Sequence, residues 1–192
     1  MTCCESAADG GHLELLKWLK DEGDDGWNSS RNLKVAAQRG DEEMLMWLLK
    51  ESGLKLTRSV GSHAIEGSQF TMLKLLMLLG CPWHPGLCAE AARQGHFEML
   101  KWLKGKGCGW DKTTCINTAG GGYLEMLKWA KENGCPLVKG AVKMAAFRGH
   151  LNVLKWLREN GCPWSVHALQ KAKERKNPQT LKWLIENGCP EN

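Results

Sequence analysis

The feature that most constrains this chain is that it repeats itself. The segment Gly11-His12-Leu13-Glu14-Leu15-Leu16-Lys17-Trp18-Leu19 returns as Gly95-His96-Phe97-Glu98-Met99-Leu100-Lys101-Trp102-Leu103. It returns again as Gly149-His150-Leu151-Asn152-Val153-Leu154-Lys155-Trp156-Leu157. One anchor column runs through the whole chain: Trp18, Trp47, Leu75, Trp102, Trp129, Trp156 and Trp183, at spacings of 29, 28 and then four times 27. A fixed period of this size means one supersecondary unit per repeat. A unit so short cannot hide its own apolar face, so the copies must stack and cover one another.

Each unit reads as two helices. In the second, an apolar column lies two residues before the anchor (Leu16, Leu45, Leu73, Leu100, Leu127, Leu154, Leu181). Another lies one after it (Leu19, Leu48, Leu76, Leu103, Ala130, Leu157, Leu184). Together they draw a stripe of helical period. Glu14–Lys17, Glu98–Lys101 and Glu125–Lys128 are i,i+3 pairs on the opposite, wet face. Gly80, Gly107, Gly134, Gly161 and Gly188 stand five after their anchors, suiting a left-handed C-terminal cap, and Pro82, Pro136, Pro163 or Pro190 bars continuation. The first helix is shorter, with core columns Cys4, Leu33, Cys88, Cys115, Val142, Leu169 and Ala7, Ala36, Ala64, Ala91, Ala145, Ala172. Small residues there allow two helices to approach closely. Asp111 and Ser165 are expected N-caps, and Gly11, Gly40, Gly95, Gly122 and Gly149 are expected to make the turn between helices. Asn177-Pro178 should start the final helix. Glu42 stands in a column otherwise filled mostly by Leu or Phe, which predicts looser packing in the second repeat.

The run Ala91-Ala92-Arg93-Gln94-Gly95-His96-Phe97-Glu98-Met99-Leu100-Lys101-Trp102-Leu103 resembles the ankyrin consensus around its inter-helix turn, and the resemblance covers essentially the whole chain. Ankyrin repeats run to about 33 residues; here the residues of the β-hairpin finger and of the Thr-Pro-Leu-His helix start are missing, replaced by a tight Gly-Cys-Pro-Trp turn. Short divergent arrays of this kind are known in protists, algae and large DNA viruses. The resemblance implies an all-α solenoid of stacked helix–turn–helix repeats without β-hairpin fingers. Residues 1–192 would form a single domain of seven such repeats. It also implies recognition of another protein on the concave side.

Composition narrows the setting. The chain has 192 residues, 43% hydrophobic, with no run approaching the length of a membrane helix and no basic-then-apolar N-terminal leader. Nine cysteines without an export signal predict reduced thiols in a cytoplasmic or nuclear, not secreted, protein, so the Asn28-Ser29-Ser30 sequon is expected to be unused. Charge is uneven: residues 1–60 hold 8 Lys/Arg against 11 Asp/Glu, net −3, and residues 61–192 hold 18 against 10, net +8. An acidic or nucleic-acid partner for the basic two thirds is therefore an alternative reading.

Other chemistry is weighed column by column. Cys81, Cys108, Cys135, Cys162 and Cys189 recur once per repeat. Helices stacked about 8–10 Å apart cannot bring equivalent thiols within disulfide or zinc range. The cysteines are expected to be small turn residues rather than a thiol- or metal-dependent device. Cys81, His84 and Cys88 have a zinc-like C-x2-H-x3-C spacing, but Cys81 belongs to the turn column and Cys88 to the helix core column, both explained by the repeat. His12, His96 and His150, with Tyr123 and Asn177, are expected to satisfy backbone groups at a helix start. The anchor tryptophans are read as core. Trp83, Trp110 and Trp164, with Trp27 as equivalent, either roof the core or line a binding ridge. The lysine column Lys17, Lys74, Lys101, Lys128, Lys155, Lys182 reads as a solvated face. No phosphate loop, zinc-protease helix or acid–base pair is present, which gives no enzyme, cofactor or metal reading.

Beside these framework columns, first-helix positions vary between repeats. They predict a partner-binding surface made of His63, Glu90, Arg93, Asn117, Met144, Phe147 and Lys171, with Trp83, Trp110 and Trp164 at its rim. The partner is expected to be a protein, the chain a monomer, and no membrane is involved.

Overall fold

A computed structural model describes residues 2–190 and shows fourteen α-helices, with no strand among the described residues. They form seven consecutive pairs: α1 (Cys3–Gly10) with α2 (Leu13–Asp21), α3 (Ser30–Arg39) with α4 (Glu42–Ser52), α5 (Arg58–Glu66) with α6 (Phe70–Leu78), and α7 (Pro85–Gln94) with α8 (Phe97–Gly105). Then come α9 (Lys112–Gly120) with α10 (Leu124–Glu132), α11 (Lys139–Arg148) with α12 (Leu151–Glu159), and α13 (Ala168–Glu174) with α14 (Pro178–Glu186). A short 3-10 turn, Asp25–Trp27, lies in the first inter-repeat loop. By backbone contacts the chain divides into two compact units, Met1–Leu87 and Cys88–Asn192.

Within each unit the first helices of successive pairs pack directly on one another: α1 on α3 and α3 on α5, then α9 on α11 and α11 on α13. The residues at those contacts are small. Ala7, Ala36, Ala64, Ala119, Ala145 and Ala172 are fully or almost fully buried. The second helices pack chiefly on their own first helices. The core of both units is therefore the columns the periodicity marks: Leu16, Leu45 and Leu73 in one, Leu100, Leu127 and Leu154 in the other, all buried.

Every repeat but the second is closed twice by the same device; in the second, Gly53 is left-handed but Leu54 N donates instead to Ser52 Oγ. At the end of the second helix the amide of the residue after a left-handed glycine donates back five residues. Cys108 N donates to Leu103 O at 3.0 Å and Gly107 N to Lys104 O at 2.9 Å, with φ +85° at Gly107. The bond pattern is a Schellman cap, in which glycine takes the left-handed position at no steric cost. The same pair of bonds recurs at Cys81, Cys135, Cys162 and Cys189. This accounts for the cysteine column: the residue closing the cap turns its side chain inward, and all five thiols are buried. The inter-helix turn uses the same motif. His150 N donates to Ala145 O at 2.9 Å, and φ is +79° at Gly149. In the third and seventh repeats the left-handed position falls instead to Ser68 (φ 61°) and Lys176 (φ 52°).

The structure corrects three expectations. The anchor tryptophans are not the centre of the core. Trp47, Trp102, Trp129, Trp156 and Trp183 are half-buried on the seam between repeats, and Trp18 is 55% exposed. Glu42 does not loosen its repeat, because its column lies at the rim. Glu42 is exposed while Met44, Leu45 and Leu48 beneath it are fully buried, and Asp41 caps the helix by accepting from Met44 N at 2.9 Å. Ser165 does not cap α13, whose N-cap is His167; Ser165 is buried in the preceding turn, where its carbonyl accepts from Ala168 N. Asp111 does cap α9, accepting from Thr114 N at 2.9 Å, and Asn177 caps α14 with Pro178 in its first turn.

Candidate functional site

In the unit Cys88–Asn192 the exposed side of the first helices carries an open cleft of about 580 Å³. Arg93 from α7, Asn117 and Gly120 from α9, Met144 and Arg148 from α11, and His150 from the following turn line it. The cleft exists because small residues face it. Gly120 offers no side chain, and a Cβ there would meet Met144 at 3.4 Å. Three residues of the expected contact surface, Arg93, Asn117 and Met144, are thus brought together.

Two of them are partly engaged inside the molecule. Asn117 Nδ2 donates across to the Ala89 carbonyl at 2.9 Å, tying α9 to α7. Glu90 accepts from Arg93 Nε at 3.1 Å, from a second nitrogen of the same guanidinium, and from Gln94 Nε2 at 3.1 Å. Its carboxylate therefore orients Arg93 rather than facing a partner. Beside the cleft, Phe147 is half-buried under cations. The Arg175 guanidinium lies 4.4 Å from its ring centre, and Arg148 and Lys171 each lie 5.8 Å away. Such cation–π contacts hold the cations over the face of the ring. Lys171 also donates to Glu174 at 2.6 Å.

His63 lies in the other unit, on α5, with its Nδ1 2.7 Å from the Ser59 carbonyl one turn earlier. Trp83 also lies there and is 39% exposed. The remaining turn tryptophans form a roof. Trp110 packs edge-on against Trp129 at 5.8 Å and donates from Nε1 to the Asn133 carbonyl at 2.8 Å; Trp164 packs against Trp183 at 6.2 Å and Trp27 against Trp47 at 5.4 Å. A cation from the same repeat's second helix or its end covers each: Lys104 over Trp110, Arg158 over Trp164, Lys20 over Trp27.

Residue periodicity missed Arg148 and Arg175. Both stand immediately before the inter-helix turn residue of left-handed φ, where Arg39 stands in the second repeat and donates to the Asp9 carbonyl at 2.8 Å. The signal was an arginine recurring at one position, where a cation also suits the helix C-terminus.

The other candidate groups are accounted for structurally. His12, His96 and His150 make no side-chain cap to their own helices, which corrects the expected role. His150 instead contacts the preceding repeat, its Nε2 3.0 Å from the Gly120 carbonyl, over Gly122, where a Cβ would come within 2.6 Å of the ring. On the outer face Lys17, Lys101 and Lys128 pair with Glu14, Glu98 and Glu125 at 2.6, 2.8 and 2.7 Å, so much of the lysine stripe is neutralised. Eight of the nine cysteines are buried and Cys3 is exposed. Burial pushes the thiols of Cys4 and Cys162 up to about 11 and that of Cys135 up to about 12, so they stay protonated and unreactive at neutral pH. Among the described residues no three His, Cys, Asp or Glu side chains converge to hold a metal ion, and no helix is long and apolar enough to cross a membrane.

No family model and no curated protein sequence matches the chain. Solved structures do. The ankyrin repeat domain of human ASB11 is similar over 82% of this chain and 84% of that one, with a TM-score of 0.61 and 18% sequence identity. At that identity the likeness establishes the fold. The chain is an all-helical, ankyrin-like repeat array.

Proposed function

We propose that this chain is a non-catalytic interaction module. It would hold a partner protein on the concave side of its first helices, centred on the cleft of Arg93, Asn117 and Met144 and the adjoining Phe147 cluster. The observation that carries this reading is a preformed cleft whose walls vary from repeat to repeat while the framework beneath them does not. An aromatic ring clasped by Arg148, Lys171 and Arg175 is the type of side-chain group that dominates binding energy when a partner desolvates it. The likeness to an ankyrin repeat domain supports an interaction role rather than an enzymatic one. The chain would act as a monomer, in the cytoplasm or nucleus, where its thiols stay reduced. Trp110 and Trp164 would contribute at the rim, through the edges their roof leaves open.

Affinity capture from the source cells tests the reading. A chain carrying Arg93→Glu, Phe147→Ala and Lys171→Glu should lose the proteins that the unaltered chain retains, with its thermal melting midpoint within a few degrees. Retention by both alike would overturn it. One observation favours a second reading: Cys88–Asn192 holds 17 Lys/Arg against 9 Asp/Glu, net +8. Retention on single-stranded nucleic acid that falls steeply with salt would support that alternative.

A further inference from the structure

At the other end of the same helices, where they begin, lies a second cleft of about 520 Å³. Its walls are Lys112 at the start of α9 and Lys139 and Lys143 in the first turns of α11. Its floor is apolar, built from Ile116, Leu137 and Pro163. Three facts about it point the same way. First, none of the three lysines has an ion-pair, hydrogen-bond or cation–π partner among the described residues, whereas three lysines of the outer column are paired with carboxylates. Lys139 and Lys143 stand one helical turn apart, about 6 Å, with Lys112 opposite on the neighbouring helix. Second, α11 begins without a side-chain cap, because Val138 has no side-chain oxygen, while Asp111 caps α9 next to it. An uncapped helix start adds positive potential to that of the lysines. Third, the floor is kept apolar and close. Gly140 sits where a Cβ would be 2.8 Å from Ile116 Cδ1, so α9 and α11 approach without a side chain between them.

We infer that this cleft docks an acidic segment of a partner protein, an extended stretch in which an apolar side chain sits on Ile116, Leu137 and Pro163 and flanking Asp or Glu carboxylates meet Lys112, Lys139 and Lys143. The charge is what selects the occupant. Three cations without an ion-pair partner surround an uncharged floor, in a unit of net charge +8. The cations spread along the walls instead of converging on a point, which suits separate carboxylates rather than a single phosphate. The apolar floor excludes a purely ionic ligand such as a nucleic-acid backbone, which would leave it uncovered. The cleft occupies the edge where a longer repeat would carry a projecting hairpin. Shortening the repeat bares these helix starts. This inference rests on the interaction reading above and names the chemistry of one part of the partner.

The test uses the full chain and a fluorescein-labelled peptide, Asp-Glu-Glu-Leu-Glu-Glu-Asp, followed by anisotropy at low salt. The peptide should bind, and binding should weaken as salt rises. Lys139→Glu with Lys143→Glu should weaken it by about tenfold or more, since the variant replaces attraction by repulsion. Ile116→Ala, and a control peptide with Gly for Leu, should each weaken it by roughly threefold or more through lost apolar contact. Glu159→Lys with Lys155→Glu, a charge-conserving exchange on the exposed face of α12, should leave peptide binding unchanged. No binding by the unaltered chain, equal binding by the lysine variant, an undiminished Gly control, or tighter binding of an oligothymidylate competing for the same lysines would overturn the inference. The first-helix variant that loses capture in cells leaves these lysines untouched, so the two readings fail separately.

Discussion

The two units are built from the same hairpin, yet they differ in what they leave uncovered. Most of the exposed large apolar side chains belong to Met1–Leu87: Leu15, Trp18, Met46, Leu78, Leu79 and Trp83, against Val166 and Ile185 in Cys88–Asn192. The N-terminal unit holds the two irregular spacings, 29 and 28, and a net charge of −3 from 9 Lys/Arg and 12 Asp/Glu; the C-terminal unit keeps 27 throughout and is strongly basic. Leu78 is 85% exposed at a position where Asp21, Lys50, Glu132, Glu159 and Glu186 stand in other repeats. The residue three before the anchor is buried in the second to seventh repeats and exposed only at Leu15 in the first. Within Met1–Leu87 the covered copies, Met44 and Met72, each follow another repeat, and the uncovered Leu15 does not. The comparison teaches that burial in such a fold belongs to the neighbour as much as to the residue, and that identical sequence columns have different energies in different repeats.

Alkali should separate the units most. A buried thiol whose folded value is raised above its unfolded value ionises preferentially in the unfolded chain. Stability is therefore intact below about pH 9 and lost as pH climbs toward the raised values. Cys135 and Cys162, up at about 12 and 11, and Cys115 and Cys189, both raised by burial, lie in the C-terminal unit; Cys4 and Cys81 are the raised thiols of the other. Thermal melts should be flat from pH 7 to about 8.5 and fall steeply above. Cys135→Ala with Cys162→Ala should flatten that fall more than Cys81→Ala does, and equal slopes would remove the distinction.

The core comes next. Leu127→Ala removes a fully enclosed side chain and should cost about 3–5 kcal/mol by denaturant unfolding. In the anchor column, Trp129 lies between Phe97 and Trp110, at 5.7 and 5.8 Å, and Trp129→Ala should cost about 2 kcal/mol. Trp18→Ala, in the exposed copy, should cost under about 1 kcal/mol. Equal losses at Trp18 and Trp129 would break the argument that the neighbour sets the energy.

The turns give a smaller and opposite pair. Gly122→Ala meets both a left-handed φ of +77° and the His150 ring, and should cost about 2 kcal/mol. Ser68→Gly and Lys176→Gly relieve the same strain and should each stabilise by about 1 kcal/mol, one in each unit. The smallest effect expected is at the outer face, where Glu98→Ala breaks an exposed pair with Lys101 and should change stability by less than about 0.5 kcal/mol.

Much of this was written in the residue columns. The all-helical array, the leucine and alanine stripes and the turn glycines all follow from period and backbone chemistry, which act within a few residues. Depth was not legible. The anchor tryptophans share a helical face with leucines, and periodicity names a face without saying how far a neighbouring repeat covers it. The loss of the Ser165 cap is similar, because two residues of turn, Val166 and His167, separate it from α13. Of the contact surface, Arg93, Asn117 and Met144 were legible as varying positions and do share one cleft. The clasp on Phe147 was not, since Arg148 and Arg175 come from different repeats and meet only when α11 and α13 stack. The lysine cleft was hidden for the same reason: Lys112 and Lys139 occupy one column and Lys143 another, and only stacking makes them three sides of a single basin.

The paired glycine turns have a consequence for how such a chain can grow. All their hydrogen bonds are made inside one hairpin, so a 27-residue cassette is complete at its borders and asks nothing new of the junction. Duplicating residues 124–150 in frame would insert one more rung with every cap intact, and deleting them would remove one. Tandem gain and loss of whole cassettes is thus the mutation this architecture absorbs most readily, and it would lengthen or shorten the reach of the docking face in fixed steps.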